Sequence, residues 1–114
     1  MKKEIKDMKL FVYGTLMKPE VVKRLTGKTP NYEKVFLIGY RKYSTGYIPY
    51  IIKNENSKVE GLLITNLDEE DLKKIDRYEG EGYLYTREKV EVVTERSNEE
   101  TYVYVGKNMK KGGE

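Results

Sequence analysis

Residues 10–16 form the stretch Leu10-Phe11-Val12-Tyr13-Gly14-Thr15-Leu16, in which a short apolar run meets a glycine and a small hydroxyl residue. The run that begins at Lys9 and ends at Tyr13 predicts a buried strand. Consecutive backbone N–H groups freed after such a strand can form a nest that binds a carboxylate or a developing oxyanion, and Gly14 allows a ligand to come close to the backbone. The alternative interpretation is an ordinary junction between a strand and a turn.

The rest of the chain predicts an α+β protein with a strongly bent small sheet that closes toward a barrel. Pro19 suits the first turn of a short helix, which Gly27 ends. Aromatic and β-branched residues indicate further strands, and residues 54–57 are typical of a turn between two of them. About six strands are predicted in total. They are the strand at 9–13 and strands at residues 32–43, 47–53, 59–65, 84–93 and 101–105.

The most distinct helix begins at Asp68, which can cap it. Residues 69–71 are acidic and lie favourably in the first turn, where the helix dipole stabilises negative charge. Leu72 and Ile75 supply an apolar stripe, and Gly80 can end the helix. We therefore expect a capped helix that runs to about residue 79.

Acidic residues crowd the end of this helix, in the segment Asp76-Arg77-Tyr78-Glu79-Gly80-Glu81-Gly82. The helix dipole already disfavours negative charge there. If Glu79 faces inward among tyrosine side chains, burial and the acidic neighbours raise its pKa toward the range of a general base. The alternative is a solvated, acidic helix end followed by a flexible loop.

The segment Tyr83-Leu84-Tyr85-Thr86-Arg87 places Tyr85 and Arg87 on one face of a strand, because side chains alternate along a strand. One interpretation is that these two side chains face a pocket. A cross-strand packing pair is the alternative.

The absence of two residue types excludes much chemistry. The 114 residues contain no Cys and no His, so a disulfide, a thiolate nucleophile, a zinc finger and a serine–histidine pair are all excluded. An enzyme of this composition must move protons through a carboxylate, a lysine, a tyrosine or water. The length, with 11 Tyr and 2 Phe, predicts one folded domain over residues 1–114, with loose tails at 1–8 and 106–114.

The chain has no apolar run long enough to span a membrane, and residues 1–7 do not lead into a signal-peptide pattern. We therefore expect a cytoplasmic protein with no membrane partner. Tyrosine-rich strands with nearby lysines could stack single-stranded nucleic acid, but a net charge of +3 without a dense basic stripe favours the absence of a nucleic-acid partner. No feature indicates an oligomeric state.

Taken in order, these segments resemble the γ-glutamylcyclotransferase-like family, in particular its short bacterial, archaeal and plant avirulence-induced branches. The resemblance spans residues 10–105, and Ile75 stands where the family has leucine. No single segment is specific for the family, but seven segments in the right order and spacing are specific for it. The matching segments are Phe11-Val12-Tyr13-Gly14-Thr15-Leu16, Gly39-Tyr40-Arg41, Tyr47-Ile48-Pro49-Tyr50-Ile51-Ile52, Val59-Glu60-Gly61, Ile75-Asp76-Arg77-Tyr78-Glu79-Gly80, Tyr85-Thr86-Arg87 and Val90-Glu91-Val92.

The resemblance implies a small mixed β-barrel of about six strands flanked by two short helices, with one pocket between the first turn and the segment after the acidic helix. It also implies an enzyme that converts a small γ-glutamyl amide or amine into 5-oxoproline and a free amine, with no metal or other cofactor. Glu79 would be the catalytic acid and base, while Tyr85 and Arg87 would line the pocket or support the barrel. The glutamyl group would be held, largely through backbone amides, by Tyr13, Gly14, Thr15 and Leu16.

A non-catalytic module on the same fold is the competing interpretation, in which the pocket captures a small carboxylate or a peptide end. A Glu79 side chain turned away from the pocket, or an occluded turn at Gly14, would favour that module. No residue pattern indicates which amine would leave.

Overall fold

The computed structural model describes residues 8–46 and 48–107. In chain order its elements are β1 (Met8–Val12), a 3₁₀ turn (Thr15–Met17), α1 (Pro19–Thr26), β2 (Tyr32–Ser44), β3 (Pro49–Leu67), α2 (Glu69–Glu79), β4 (Tyr85–Val93) and β5 (Asn98–Gly106).

The strands of the described residues close into a barrel in the order β1-β3-β2-β4-β5. β1 and β5 pair in parallel, Leu10 with Tyr102 and Phe11 with Val103, whereas the other neighbours are antiparallel. The predicted mixed barrel with two flanking helices is therefore confirmed. The described strands number five instead of about six.

Strand β3 accounts for the difference in strand number. The predicted turn at residues 54–57 is wrong, because these residues lie within one long strand. They bulge opposite Gly39 while pairing with β2 continues on both sides, at Tyr40 with Lys53 and Ile38 with Lys58. Gly39 has a φ of +88°, a left-handed conformation that glycine adopts at little cost. The turn-forming residues are thus absorbed as a bulge in a strand that pairing holds together.

Side chains of the strands alternate between two apolar layers. Along β1, Phe11 packs in the barrel interior, whereas Leu10 and Val12 pack in the layer under the helices. The interior also contains Val35, Leu37, Val59, Leu63, Val92 and Val103. The layer between barrel and helices also contains Val21, Val22, Ile64, Leu67, Leu72 and Ile75. This second layer holds α2 against the strands.

Helix α2 has the two ends that the sequence pattern predicts. The Asp68 carboxylate accepts the Asp71 N–H at 2.9 Å, and the Asp71 carboxylate accepts the Asp68 N–H at 3.0 Å. A cap of this kind stabilises a helix start by about 1 kcal/mol. Gly80 ends the helix with a φ of +74°, where a residue with a Cβ would be strained. Glu79 is therefore the last helical residue.

The predicted tails at 1–8 and 106–114 lie mostly outside the described residues. Met8, Gly106 and Lys107 are exceptions, and their assignment to loose tails is wrong. Met8 begins β1, Gly106 ends β5, and the Lys107 N–H donates to the Leu84 carbonyl at 3.0 Å. Tyr47, where the strand at 47–53 is predicted to begin, also lies outside the described residues. Within residues 8–46 and 48–107, no helix has the length and apolar character needed to cross a membrane.

Candidate active site

A cavity of about 50 Å³ lies where the end of β1 meets the last residue of α2. A space of this size suits a compact chemical group. Six of the seven predicted site residues line it, namely Tyr13, Gly14, Thr15, Leu16, Glu79 and Tyr85. In the described part of the chain, no three His, Cys, Asp or Glu side chains lie close enough together to hold a metal ion.

The segment at residues 13–16, here called the Gly14 turn, leaves backbone N–H groups without helical partners beside the cavity. The first hydrogen bond of its 3₁₀ turn runs from the Met17 N–H to the Gly14 carbonyl at 3.0 Å. The N–H groups of Thr15 and Leu16 precede this bond, so they have no acceptor within the turn. Space also favours glycine at position 14, because a Cβ there would lie 3.0 Å from Cγ of Pro49. Free N–H groups in such a turn can bind an anion.

Glu79 lines the same cavity and is the acidic residue among the lining residues. Burial raises the pKa of this carboxyl from 4.5 to about 7. Within the described residues, no Lys or Arg forms an ion pair with Glu79, so no cation stabilises its charged form. A carboxyl with a pKa near 7 can both take up and release a proton at neutral pH.

Three buried tyrosines complete the polar part of the lining. The Tyr13 hydroxyl donates to the Tyr104 carbonyl, and the Tyr85 hydroxyl donates to a backbone carbonyl of β3. The Tyr104 hydroxyl donates to Asp76 Oδ1 at 2.6 Å. Burial raises the pKa of Tyr85 to about 12, and burial also raises the pKa values of Tyr13 and Tyr104. These hydroxyls are therefore neutral and already donate to oxygen atoms of the protein.

Arg87, the seventh predicted site residue, is not among the residues that line the cavity. Its Nε and a terminal nitrogen donate to the Asp76 carboxylate at 2.7 and 3.1 Å, and its guanidinium lies 4.6 Å from the centroid of the Tyr102 ring. Because Asp76 also holds the hydroxyl of Tyr104, Arg87 fits the role of supporting the barrel better than that of lining the pocket. The ion pair neutralises Asp76, and burial alone accounts for the raised pKa of Glu79.

Tyr104 is a lining residue that the sequence pattern did not single out. It lies 91 positions from Tyr13 along the chain, and the parallel pairing of β1 with β5 brings the two together. Its ring meets the Tyr85 ring edge-on, with 6.3 Å between centroids. No local motif could have revealed this contact. The other unpredicted lining residues are Phe11, Val12 and Pro49.

A family model described as gamma-glutamyl cyclotransferase, AIG2-like, matches residues 10–114. The chain belongs to this family. The resemblance that the ordered segments indicate is therefore confirmed over nearly the whole chain.

Two curated relatives match most of this chain. Protein AIG2 C of Arabidopsis thaliana is 34% identical over 105 residues, which cover 87% of this chain and 62% of the plant protein. A protein of Methanocaldococcus jannaschii, named as a γ-glutamylcyclotransferase and a candidate RNase, is 31% identical over 101 residues, which cover 86% of this chain and 46% of the archaeal protein. The chain thus spans only part of the length of each relative.

A solved structure of a gamma-glutamyl cyclotransferase has the same fold as this chain. The two superpose with a TM-score of 0.76 at 16% identity, over 92% of this chain and 69% of the other. At that identity the likeness concerns the fold alone.

Proposed function

We propose that the chain catalyses a γ-glutamylcyclotransferase reaction, in which a small γ-glutamyl amide becomes 5-oxoproline and a free amine. The observation that carries this proposal is the presence of Glu79, with a pKa near 7, and the Gly14 turn on one cavity. Membership of the gamma-glutamyl cyclotransferase, AIG2-like family supports it, as does the name of the archaeal relative.

In this reaction the substrate supplies its own nucleophile. Its α-amine attacks the γ-carbonyl carbon and forms the C–N bond of a five-membered ring, and the original amide C–N bond then breaks. Because the attack is intramolecular, holding the substrate in a folded conformation supplies a large effective molarity. The protein therefore needs no cysteine or histidine nucleophile, in keeping with a sequence that has neither.

Glu79 acts first as a base and then as an acid. Its ionised carboxylate takes a proton from the substrate ammonium, which frees the amine for attack. The resulting carboxylic acid then gives this proton to the departing nitrogen, and the regenerated carboxylate takes the second proton of the attacking nitrogen. The product lactam thus keeps one N–H, and the second proton leaves with the free amine as its ammonium. A pKa near 7 suits both steps, because the charged and neutral forms are both populated at neutral pH.

The Gly14 turn stabilises the negative charge that develops on the γ-carbonyl oxygen. The N–H groups of Thr15 and Leu16 are the donors, and each such donor typically contributes ~3 kcal/mol to transition-state stabilisation. The rings of Tyr85 and Tyr104 form an apolar side of the cavity, against which the methylene groups of the glutamyl chain pack. Backbone donors suit this task because the folded turn holds them in place before the reaction begins.

Release of 5-oxoproline from a panel of γ-glutamyl compounds tests this function. The panel contains γ-glutamyl amino acids, a γ-glutamyl isopeptide of lysine and γ-glutamyl polyamines. Glu79→Gln keeps the shape of the side chain but removes the base, and Glu70→Gln, at an exposed position of α2, is the matched control. We expect turnover by the wild type and by Glu70→Gln, and a loss of at least about 100-fold in Glu79→Gln.

Two other outcomes would contradict this proposal, the first its catalytic activity and the second the role of Glu79. Binding of 5-oxoproline without turnover of any member of the panel would favour the non-catalytic module that captures a small carboxylate. Turnover that Glu79→Gln leaves unchanged would assign the proton transfer to another group.

A further inference from the structure

Lys42, on β2, contacts the Gly14 turn from outside the cavity. Its Nζ donates to the backbone carbonyl of Tyr13 at 2.7 Å and lies 6.0 Å from the centroid of the Tyr13 ring. Tyr13 and Gly14 line the cavity, whereas Lys42 is not among the lining residues. Lys42 is therefore placed to act on the turn and not on a ligand directly.

The contact is to a peptide group that Tyr13 and Gly14 share. The Tyr13 carbonyl and the Gly14 N–H belong to one planar unit, so fixing the oxygen also fixes the direction of the N–H. A cation at the oxygen draws electron density from the peptide group and makes its N–H a stronger donor. This strengthening matters most when the acceptor on the other side is an anion.

The charge of Lys42 is available for this contact. Within residues 8–46 and 48–107, its ammonium forms no ion pair with a carboxylate. The guanidinium of Arg87 is by contrast paired with the carboxylate of Asp76. The positive charge that reaches the Gly14 turn through a direct hydrogen bond is thus that of Lys42.

We propose that Lys42 is a positioning residue that strengthens the Gly14 N–H, through the Tyr13–Gly14 peptide group, as a donor to a carboxylate bound at the Gly14 turn. That this carboxylate is the α-carboxylate of the glutamyl group, which 5-oxoproline retains and 2-pyrrolidinone lacks, rests on the proposed function, in which the Thr15 and Leu16 N–H groups hold the γ-carbonyl oxygen. The polarisation of the peptide group does not depend on turnover, so it can be measured separately.

Affinities for 5-oxoproline and for neutral 2-pyrrolidinone, followed by NMR titration, separate this role from a merely structural one. The variants are Lys42→Met, Lys42→Arg and the matched control Lys58→Met. Lys58 is also a strand lysine above an aromatic ring, 4.8 Å from the centroid of Phe36. We expect Lys42→Met to weaken 5-oxoproline binding about tenfold and 2-pyrrolidinone binding less than about twofold, while Lys42→Arg and Lys58→Met stay within about twofold of the wild type for both.

Three results would overturn the role of Lys42: unchanged affinity for 5-oxoproline in Lys42→Met, equal weakening of the two ligands, or equal weakening in Lys42→Met and Lys58→Met. If the wild type binds neither ligand, the proposed function fails. The chemical shift of the Gly14 amide proton then tests separately whether Lys42 polarises the peptide group. An upfield shift of this resonance in Lys42→Met that is absent in Lys42→Arg and Lys58→Met supports the polarisation of the peptide group. A resonance that does not move in Lys42→Met overturns it.

Discussion

The Arg87 guanidinium donates two hydrogen bonds to the Asp76 carboxylate, at 2.7 and 3.1 Å, and so joins β4 to α2. Tyr104 of β5 donates a third bond to the same carboxylate at 2.6 Å. Asp76 lies one turn before Glu79, so this cluster holds the end of the helix that brings Glu79 to the cavity. The pairing also neutralises a carboxylate that would otherwise oppose the ionisation of Glu79.

Replacement of Arg87 by Met should destabilise the fold by about 1–3 kcal/mol, because it leaves a partly buried carboxylate unpaired. Replacing both partners, in Asp76→Asn with Arg87→Met, should recover most of this loss, since no unpaired charge then remains. Urea unfolding of the wild type, the two single variants and the double variant gives the coupling energy. Losses that simply add in the double variant would contradict a coupled pair.

The sequence predicts those parts of the site that depend on neighbouring residues. Asp68 and Gly80 mark the two ends of α2, and Pro19 and Gly27 mark the two ends of α1. Their signals are local: a side chain that caps, a fixed φ or a glycine in the left-handed conformation. The position of Glu79 at the end of α2 follows from them.

Contacts between distant segments leave no such local pattern. Tyr104 reaches Tyr13 only because β5 pairs in parallel with β1, and Arg87 finds its partner on a helix. Residues 54–57 have the composition of a turn, yet pairing with β2 on both sides keeps them within β3. In each case tertiary pairing decides the outcome, and local preference is overridden.

Replacement of Glu79 by Gln should stabilise the fold at high pH. The pKa of Glu79 is raised by burial from 4.5 to about 7, so the folded protein holds this proton more tightly than the unfolded chain. The stability of the wild type therefore falls as the pH rises from about 4.5 to about 7, and the full cost remains at higher pH. The Gln side chain removes this cost. We expect a gain in the free energy of unfolding of about 1–3 kcal/mol at about pH 8, which disappears at about pH 4.

Urea unfolding of the wild type and Glu79→Gln at both pH values measures this gain, and Glu70→Gln again controls for the loss of an exposed charge on α2. A gain of equal size at the two pH values would show that ionisation of Glu79 is not its source.

Replacement of Gly61 by Ala should destabilise the barrel. A Cβ at this position would lie 2.5 Å from the Val12 carbonyl oxygen and 2.6 Å from the Phe11 ring. Both groups belong to the buried strand β1, so the strands must move apart, and we expect a loss of about 3 kcal/mol. Ser57→Ala, in the bulge of the same strand, should change stability by less than about 0.5 kcal/mol. Urea unfolding compares the two variants, and a wild-type midpoint for Gly61→Ala would be incompatible with this close approach.

If Glu79 moves the proton in a cyclotransfer reaction, the pH dependence of 5-oxoproline release must follow the ionisation of Glu79. For the member of the panel that turns over fastest, kcat/KM is measured from about pH 5 to about pH 9 in the wild type and in Glu79→Gln. Because Glu79 must be ionised to accept a proton, we predict that kcat/KM of the wild type rises with pH through an apparent pKa near 7. We also predict that Glu79→Gln lowers kcat/KM by at least about 100-fold at about pH 8 and removes the rise through an apparent pKa near 7. A Glu79→Gln variant with wild-type kcat/KM across this range would contradict the assignment of the proton transfer to Glu79.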